Sequence, residues 1–353
     1  MQKILIINYQ GIGNTVLMMP FFLAIKKSNL FNQIDMSIKS HSLNQLTNNH
    51  EIFDNYIYYK KHNNFLKVSS LINRIKLFLK IRKTHYDLIL NMDQTHTLLS
   101  MIFVKYLKGS RKIGINSRTN FLNVYDNFVS YESRTQSESS LYYDVASQIN
   151  IEIPALILPL FKTNRIKEKC DFKSESSEST KTIIIHPGCG EVLSFKKWPA
   201  QNFNQLIKEI LSFGYFVKIL GGPEEIELSK VILRNIDSEK CINLVGKTNI
   251  TEIIDILANA NLLISNDSGV MHLGASMDIP VIAIFGPTST IKNYPLGNKT
   301  TLVNSSRSNL CNPRENHICE NCVIDWKINN TSPQCLQNIS VKVVLDEVKK
   351  ILN

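Results

Sequence analysis

Residues 262–277, LLISNDSGVMHLGASM, carry the reading of the fold. Leu262–Ser265 is apolar but too short for a helix, so it reads as a buried strand. A polar turn follows, and an apolar helix starts at Gly269 and runs to Met277. The first N–H groups of that helix lack intrahelical partners and, with the helix dipole, favour an anion. Gly269 lets backbone approach a phosphate closely. Ser268 adds a hydroxyl, and His272 lies one turn in, able to point back. Asp267 fits poorly beside a phosphate, because like charges repel. It has two readings: an acceptor for sugar hydroxyls, or an N-cap stabilising the helix by about 1 kcal/mol.

The pattern extends outward in both directions. Downstream, Val281–Phe285 is a strand closed by Gly286-Pro287. Upstream, Thr182–His186, Phe216–Leu220 and Cys241–Val245 are strands, separated by helices over Phe203–Leu211, Glu225–Asn235 and Thr251–Ala258. The first half alternates likewise. Strands at Lys3–Asn8, Ile34–Ile38, Asp87–Asn91 and Lys112–Ile115 are interleaved with helices at Thr15–Lys27, Phe65–Thr84 and Leu98–Leu107. Strand–helix alternation with short turns predicts parallel, doubly wound α/β sheets. Residues 164–181, NRIKEKCDFKSESSESTK, interrupt the alternation and read as a linker. The predicted organisation is a domain over 1–163, the linker 164–181, a second domain over 182–340 and a C-terminal helix over 341–353. Ligands of such sheets bind outside the carboxyl ends of the strands.

Length agrees, since 353 residues exceed what one core usually organises. The formal charge of +10 favours anionic partners: nucleotide phosphates, nucleic acid or an anionic membrane surface. A lysine-rich proteome is the bland reading. No arginine-rich motif or aromatic-interleaved basic stripe appears, which argues against nucleic acid. The opening MQKILII runs straight into a glycine turn and is too short for a signal peptide or a membrane span. No run of 18 apolar residues exists, so the expected location is cytoplasmic, at most peripheral at the inner face of the cytoplasmic membrane. Seven cysteines without a secretory signal read as reduced thiols.

Three further segments carry candidate chemistry. His186-Pro187-Gly188-Cys189-Gly190 is followed by Ser194-Phe195-Lys196-Lys197-Trp198-Pro199, a glycine loop with two cations. A lysine there would neutralise charge on a departing diphosphate; two solvated lysines are the bland alternative. Gly221-Gly222-Pro223-Glu224-Glu225 places a carboxylate just after a strand, where it could accept ribose hydroxyls or merely favour a helix start. Gln10-Gly11-Ile12-Gly13-Asn14 has the start of a dinucleotide fingerprint. Val16 occupies the last glycine position, so a nicotinamide site is rejected in favour of a glycine-lined wall (Gly11, Gly13, Asn14) meeting an acceptor.

Together and in this order these segments resemble glycosyltransferase family 9, the heptosyltransferase-like enzymes of bacterial surface polysaccharide. The resemblance spans nearly the whole chain: KILIINYQGIGNTVLMMP, DLILNMDQTHTLLS, RKIGI, HPG, KKWP, GGPEE, LVGKTNITEI and SNDSGVMHLGASMDIPVIAIFGPT. It implies a GT-B fold, two Rossmann-like domains facing a central cleft. It implies an inverting transfer from a nucleotide-diphosphate sugar, typically ADP-heptose, to a lipopolysaccharide or other lipid-linked acceptor, with no metal or other cofactor. By position, Lys196 matches the lysine of a K-x-W-P element and would bind donor phosphate, with Ser194 assisting. Glu225 resembles the ribose-binding carboxylate and Asp267 the residue holding the donor sugar. Ser268, Gly269 and His272 would surround the diphosphate, and Leu244–Lys247 would flank the base. A different nucleotide sugar, used in capsule or O-antigen synthesis, is the alternative donor.

One departure matters. Where the family has an aspartate as general base after its glycine turn, this chain has Asn14. An amide does not take the proton, so Asp93, at a strand end, is the candidate base, and a catalytically inactive nucleotide-sugar-binding relative is the competing reading. Near the C-terminus, Cys319-x-x-Cys322 with Cys311 and Cys335 has the composition of a structural zinc site. The flanking spacings are not diagnostic, and free thiols are the default expectation.

Overall fold

The computed structural model describes residues 2–59, 68–94, 98–115, 122–130, 135–161, 163, 181–190, 193–305, 326–327 and 331–353. The chain divides into two compact units: Met1–Glu132 with Glu138–Leu156, and Ser133–Ser137 with Ile157–Asn353. Among the described residues, no helix is long and apolar enough to cross a membrane.

The first unit runs β1 (Gln2–Asn8), α1 (Ile12–Ser28), β2 (Phe31–Ile38), α2 (His41–Asn48), β3 (Asn55–Tyr58), α3 (Val68–Arg82), β4 (Tyr86–Asn91), α4 (Leu98–Lys105), β5 (Gly109–Ile115), β6 (Asn127–Val129) and α5 (Glu138–Gln148). Its six strands are ordered β3-β2-β1-β4-β5-β6, with every pairing parallel. Ile4–Ile7 and Leu88–Leu90 are buried as continuous apolar runs. That is the expected signature of strands covered by helices on both faces.

The second unit runs β7 (Thr182–His186), α6 (Ala200–Ser212), β8 (Phe216–Ile219), α7 (Ile226–Ile232), β9 (Cys241–Asn243), α8 (Ile250–Ala258), β10 (Leu262–Asn266), α9 (Gly269–Ser276), β11 (Val281–Phe285), β12 (Thr300–Asn304), α10 (Gln334–Gln337) and α11 (Val341–Leu352). Its order is β12-β11-β10-β7-β8-β9, again all parallel. Counted from the first strand of each unit, both sheets follow one plan, with the order reversing between the first and fourth strands. That reversal opens a crevice at the carboxyl ends of those two strands. In the first sheet these are the ends of β1 and β4; in the second, of β7 and β10.

Several boundaries differ from the sequence reading. Residues 157–163, expected in the first domain, group with the second unit, where the Leu160 N–H donates to the Ser276 carbonyl at 2.8 Å. Helix α11 is built into the second unit's core: Val344, Leu345, Val348 and Leu352 pack with Phe203, Ile264 and Ile284. The linker expected over residues 164–181 lies outside the described residues, apart from Lys181.

Candidate active site

In the second unit the site is made by the four segments that follow β7, β8, β10 and β11. Ser265 pairs with His186 in the sheet register, which brings their side chains together. His186 Nδ1 lies 3.1 Å from Ser268 Oγ and 3.4 Å from Ser265 Oγ, and the two hydroxyls are 3.0 Å apart. Ser268, not Asp267, is the N-cap of α9: its Oγ accepts the Met271 N–H at 3.2 Å. The N-cap reading of Asp267 is therefore overturned, and that carboxylate is left for another task.

Asp267 is buried and ion-paired. Lys196 Nζ donates to Asp267 Oδ2 at 2.8 Å, with both side chains largely shielded from water. Thr288 Oγ1 and Asn293 Nδ2 donate to the same oxygen at 2.7 and 2.9 Å. Among the described residues no hydrogen bond falls on Oδ1. Burial pushes this carboxyl up, but the Lys196 ammonium, its hydrogen bond and Thr288 outweigh that and hold it below the usual carboxylate range. His272 is buried next to the pair. Loss of hydration drives its imidazole down to about 4, with Lys196 adding to the fall and Asp267 opposing it. It is neutral at pH 7, and its Nδ1 is buried without a hydrogen-bond partner among the described residues. A buried polar atom of this kind carries a desolvation cost that a ligand can relieve. His186 is likewise neutral: burial lowers it to about 4, Lys197 adding and Glu225 opposing.

Glu225 holds the glycine loops together. Its Oε1 accepts the Gly190 N–H at 3.2 Å and its Oε2 the Gly222 N–H at 2.7 Å. A Cβ on Gly188 would lie 2.0 Å from Glu225 Oε1, so any side chain here would have to displace that carboxylate. Gly190 adopts φ +80°, a second reason for glycine in this loop. Past β9, Leu244 and Val245 are buried, and the Gly246 N–H donates to the Gly221 carbonyl at 2.9 Å. Cys189 sits in the same loop, its Sγ donating to the Leu193 carbonyl at 2.9 Å. Burial pushes its thiol up to about 12, against the pull of Lys197 and Lys196.

Asn266, which the sequence reading passed over, clamps the two loops. Its Nδ2 donates to the Pro187 carbonyl at 2.7 Å and its Oδ1 accepts the Trp198 N–H at 3.1 Å. Trp198 is anchored by its Nε1 on the Ile339 carbonyl at 3.0 Å and by an edge contact with Phe203. Lys196, in a single 3₁₀ turn at Ser194–Lys196, is thereby fixed opposite Asp267.

In the first unit, the turn after β1 is tied down by Asn8, whose Nδ2 donates to Thr15 Oγ1 at 3.0 Å and whose Oδ1 accepts the Gln10 N–H at 3.1 Å. Asn14 Nδ2 donates to Gln10 Oε1 and, at 3.3 Å, to Glu138 Oε1. The direction of this amide is over-determined. Gln10 Nε2 donates to the Met92 carbonyl, which can only accept, so Gln10 turns its oxygen to Asn14. Glu138, when ionised, also only accepts. Both constraints place the Asn14 nitrogen inward and leave Oδ1 as an acceptor. Glu138 is buried, and Tyr142 Oη (3.0 Å) and Gln94 Nε2 also donate to its Oε1. Asp93 lies two residues past β4, its N–H on Asn91 Oδ1 at 3.2 Å. It is half-buried in the same unit, but it is not a hydrogen-bond partner of the Asn14 amide. Of the four C-terminal cysteines, Cys311, Cys319 and Cys322 lie outside the described residues. Cys335 is buried in the second unit's core.

The family model for glycosyltransferase family 9 (heptosyltransferase) matches residues 74–322. The chain belongs to glycosyltransferase family 9. The matched span holds the segments of the second family 9 unit just described, with Lys196, Glu225, Asp267 and His272, whereas Asn14 precedes it. Lipooligosaccharide heptosyltransferase 2 of Haemophilus influenzae is 35% identical over 111 residues, which is 31% of this chain and 32% of that protein. The alignment thus spans about a third of that relative's length. Lipopolysaccharide heptosyltransferase 3 of Escherichia coli is 24% identical over 296 residues, 81% of this chain and 84% of that protein. The solved E. coli ADP-heptose heptosyltransferase II superposes with a TM-score of 0.76 at 19% identity, covering 99% of this chain and 98% of that one. A family 9 glycosyl transferase from Veillonella parvula gives 0.77 at 19% identity, covering 99% and 97%. These whole-chain likenesses show the GT-B fold with its two Rossmann-like units.

Proposed function

We propose that this chain is an inverting, metal-independent glycosyltransferase that moves a sugar, heptose from ADP-heptose being the expected one, onto a lipopolysaccharide or related surface-glycan acceptor. The observation that carries the reading is the buried Lys196–Asp267 pair beside the start of α9, next to His272 Nδ1, which has no hydrogen-bond partner among the described residues. The heptosyltransferases that this chain resembles supply the substrate class.

In this reading the second unit holds the donor. The Gly269 end of α9 and the Lys196 ammonium receive the diphosphate, and neutral His272 donates a hydrogen bond to it. Asp267 Oδ1 accepts from the sugar hydroxyls, and Glu225 with the glycine loops borders the ribose. Breaking the anomeric C–O bond leaves the electron pair on the diphosphate. Fixed positive charge there lowers the barrier without a metal ion. The first unit holds the acceptor, whose hydroxyl, oriented near Asn14, attacks the anomeric carbon as its proton leaves to a carboxylate. Asp93 remains the candidate for the carboxylate that takes the proton. Asn14 itself favours a second reading, a binder of nucleotide sugars that does not transfer, because its amide is no base.

Incubation of purified chain with ADP-heptose and other nucleotide sugars, with and without a deacylated lipopolysaccharide acceptor, tests this. Acceptor-dependent ADP release, an inverted anomeric signal by NMR and insensitivity to chelator are the expected results. Binding without turnover supports the second reading, and failure to bind any nucleotide sugar removes both.

A further inference from the structure

The net charge of this chain is not spread over it. Residues 55–114 contain twelve Lys and Arg against two acids, Asp87 and Asp93, so this stretch carries all of the chain's +10. The same stretch forms α3 and α4, which cover one core: Leu77 and Ile81 from α3 meet Met101 and Val104 from α4, with an edge contact between Phe78 and Phe103. Their outer surface carries exposed apolar side chains. Ile72, Ile75 and Leu79 on α3 are 45%, 49% and 53% exposed, and Leu98, Ile102 and Tyr106 are exposed on and just after α4. At helical spacing, Lys76, Lys80 and Lys83 interleave with the three α3 residues on the outward side, and all three are exposed. The two acids are elsewhere: Asp87 accepts the Lys3 N–H at 2.7 Å, and Asp93 is beyond the end of β4.

We propose that the α3–α4 face of the first unit docks on an anionic lipid bilayer. Exposed aliphatic side chains framed by lysines suit the headgroup boundary: the apolar tips enter the acyl region while the lysine stems lie along it and the ammonium groups meet lipid phosphates. Nucleic acid offers no partner for five aliphatic side chains, and protein interfaces are depleted in lysine. Charge complementarity therefore selects the bilayer. The inference adds a partner to the proposed transfer and is independent of its chemistry.

Cosedimentation with phosphatidylcholine vesicles, with or without about 30% phosphatidylglycerol, tests it with no donor or acceptor present. The expected result is binding to the anionic vesicles alone, weakened by raising salt from about 0.1 to 0.5 M. Each lysine near the surface is worth roughly fivefold, so Lys76→Gln/Lys80→Gln/Lys83→Gln should lose about 100-fold in partitioning. Ile75→Ser/Leu79→Ser should lose affinity as well, with unchanged circular dichroism and melting for both variants. Equal binding to neutral vesicles, no binding to either, unaltered partitioning of the variants, or equally tight binding to a DNA duplex would each overturn the proposal. Loss of transfer activity in the donor assay would leave it standing.

Discussion

The side-chain amide of Asn14 meets the carboxylate of Glu138 at 3.3 Å, across 124 residues of chain. The contact makes Asn14 a one-directional group, with nitrogen toward the buried carboxyl group and oxygen away from it. Replacing Asn14 by Asp sets two carboxylates against one another. They cannot both ionise cheaply, so the pair retains a proton to higher pH. We expect Asn14→Asp to lower the melting temperature, to add an ionisation to the pH–rate profile and to raise transfer about 10-fold above it. Asn14→Asp/Glu138→Gln should recover the stability. An unaltered rate for Asn14→Asp would show that this side chain does not act on the acceptor.

Glu138 is expected to position rather than react, since three donors already occupy its Oε1. Glu138→Leu removes one of the two acceptors that hold the Asn14 amide, leaving Gln10 alone, and should reduce kcat about 10- to 100-fold with donor KM unchanged. Glu138→Gln keeps an acceptor toward Gln94 and Tyr142 and should retain most of the rate. Equal losses in both variants would refute the positioning role.

Removing one partner of the Lys196–Asp267 pair strands the other in a buried site. Lys196→Ala should destabilise the chain by about 3 kcal/mol, and Lys196→Ala/Asp267→Asn by clearly less than the sum of the singles. Chemical denaturation of the four species measures the coupling, and additivity would contradict the geometry.

His186 and His272 are both held down to about 4, from an unfolded value near 6.5. Below pH 6.5 the unfolded chain takes protons that the folded chain refuses. Stability is thus complete above that pH and falls as pH drops toward 4, by up to about 3 kcal/mol per histidine. His272→Gln should flatten the slope of stability against pH between 6.5 and 4, followed by urea denaturation.

Gly188→Ala drives a methyl group into Glu225 Oε1 and displaces the carboxylate from Gly190 and Gly222. ADP affinity should drop at least about tenfold by calorimetric titration. Wild-type affinity would mean that this loop does not border the nucleotide.

What could be read from the sequence divides along physical lines. Buried parallel strands such as Ile4–Ile7 and Leu262–Ile264 announce themselves, because both faces are covered and every residue is apolar. Three of the four edge strands do not: β3 (NYIY), β6 (NFV) and β12 (TTLVN) are short and half-polar, and their strand character comes from a neighbour in the sheet. Helix α2 (HSLNQLTN) has too few apolar residues to show a period. Gly188 and Gly190 were legible as a loop, but the reason for the first glycine, a carboxylate from Glu225, needs the fold. Glu138 gave no signal, since a glutamate opening a helix is ordinarily a favourable charge at the dipole. Asn266 was masked by its neighbours: a strand-end asparagine reads as a turn former, and only the two loops it bridges reveal the clamp.

The ammonium of Lys196 is already spoken for before any anion arrives. If the proposed donor binds here, its diphosphate would share that cation with Asp267 rather than fill a bare positive hole, and on departure of the nucleotide the aspartate would hold its counter-charge alone again. The proposed transfer would then trade tight capture for ready discharge.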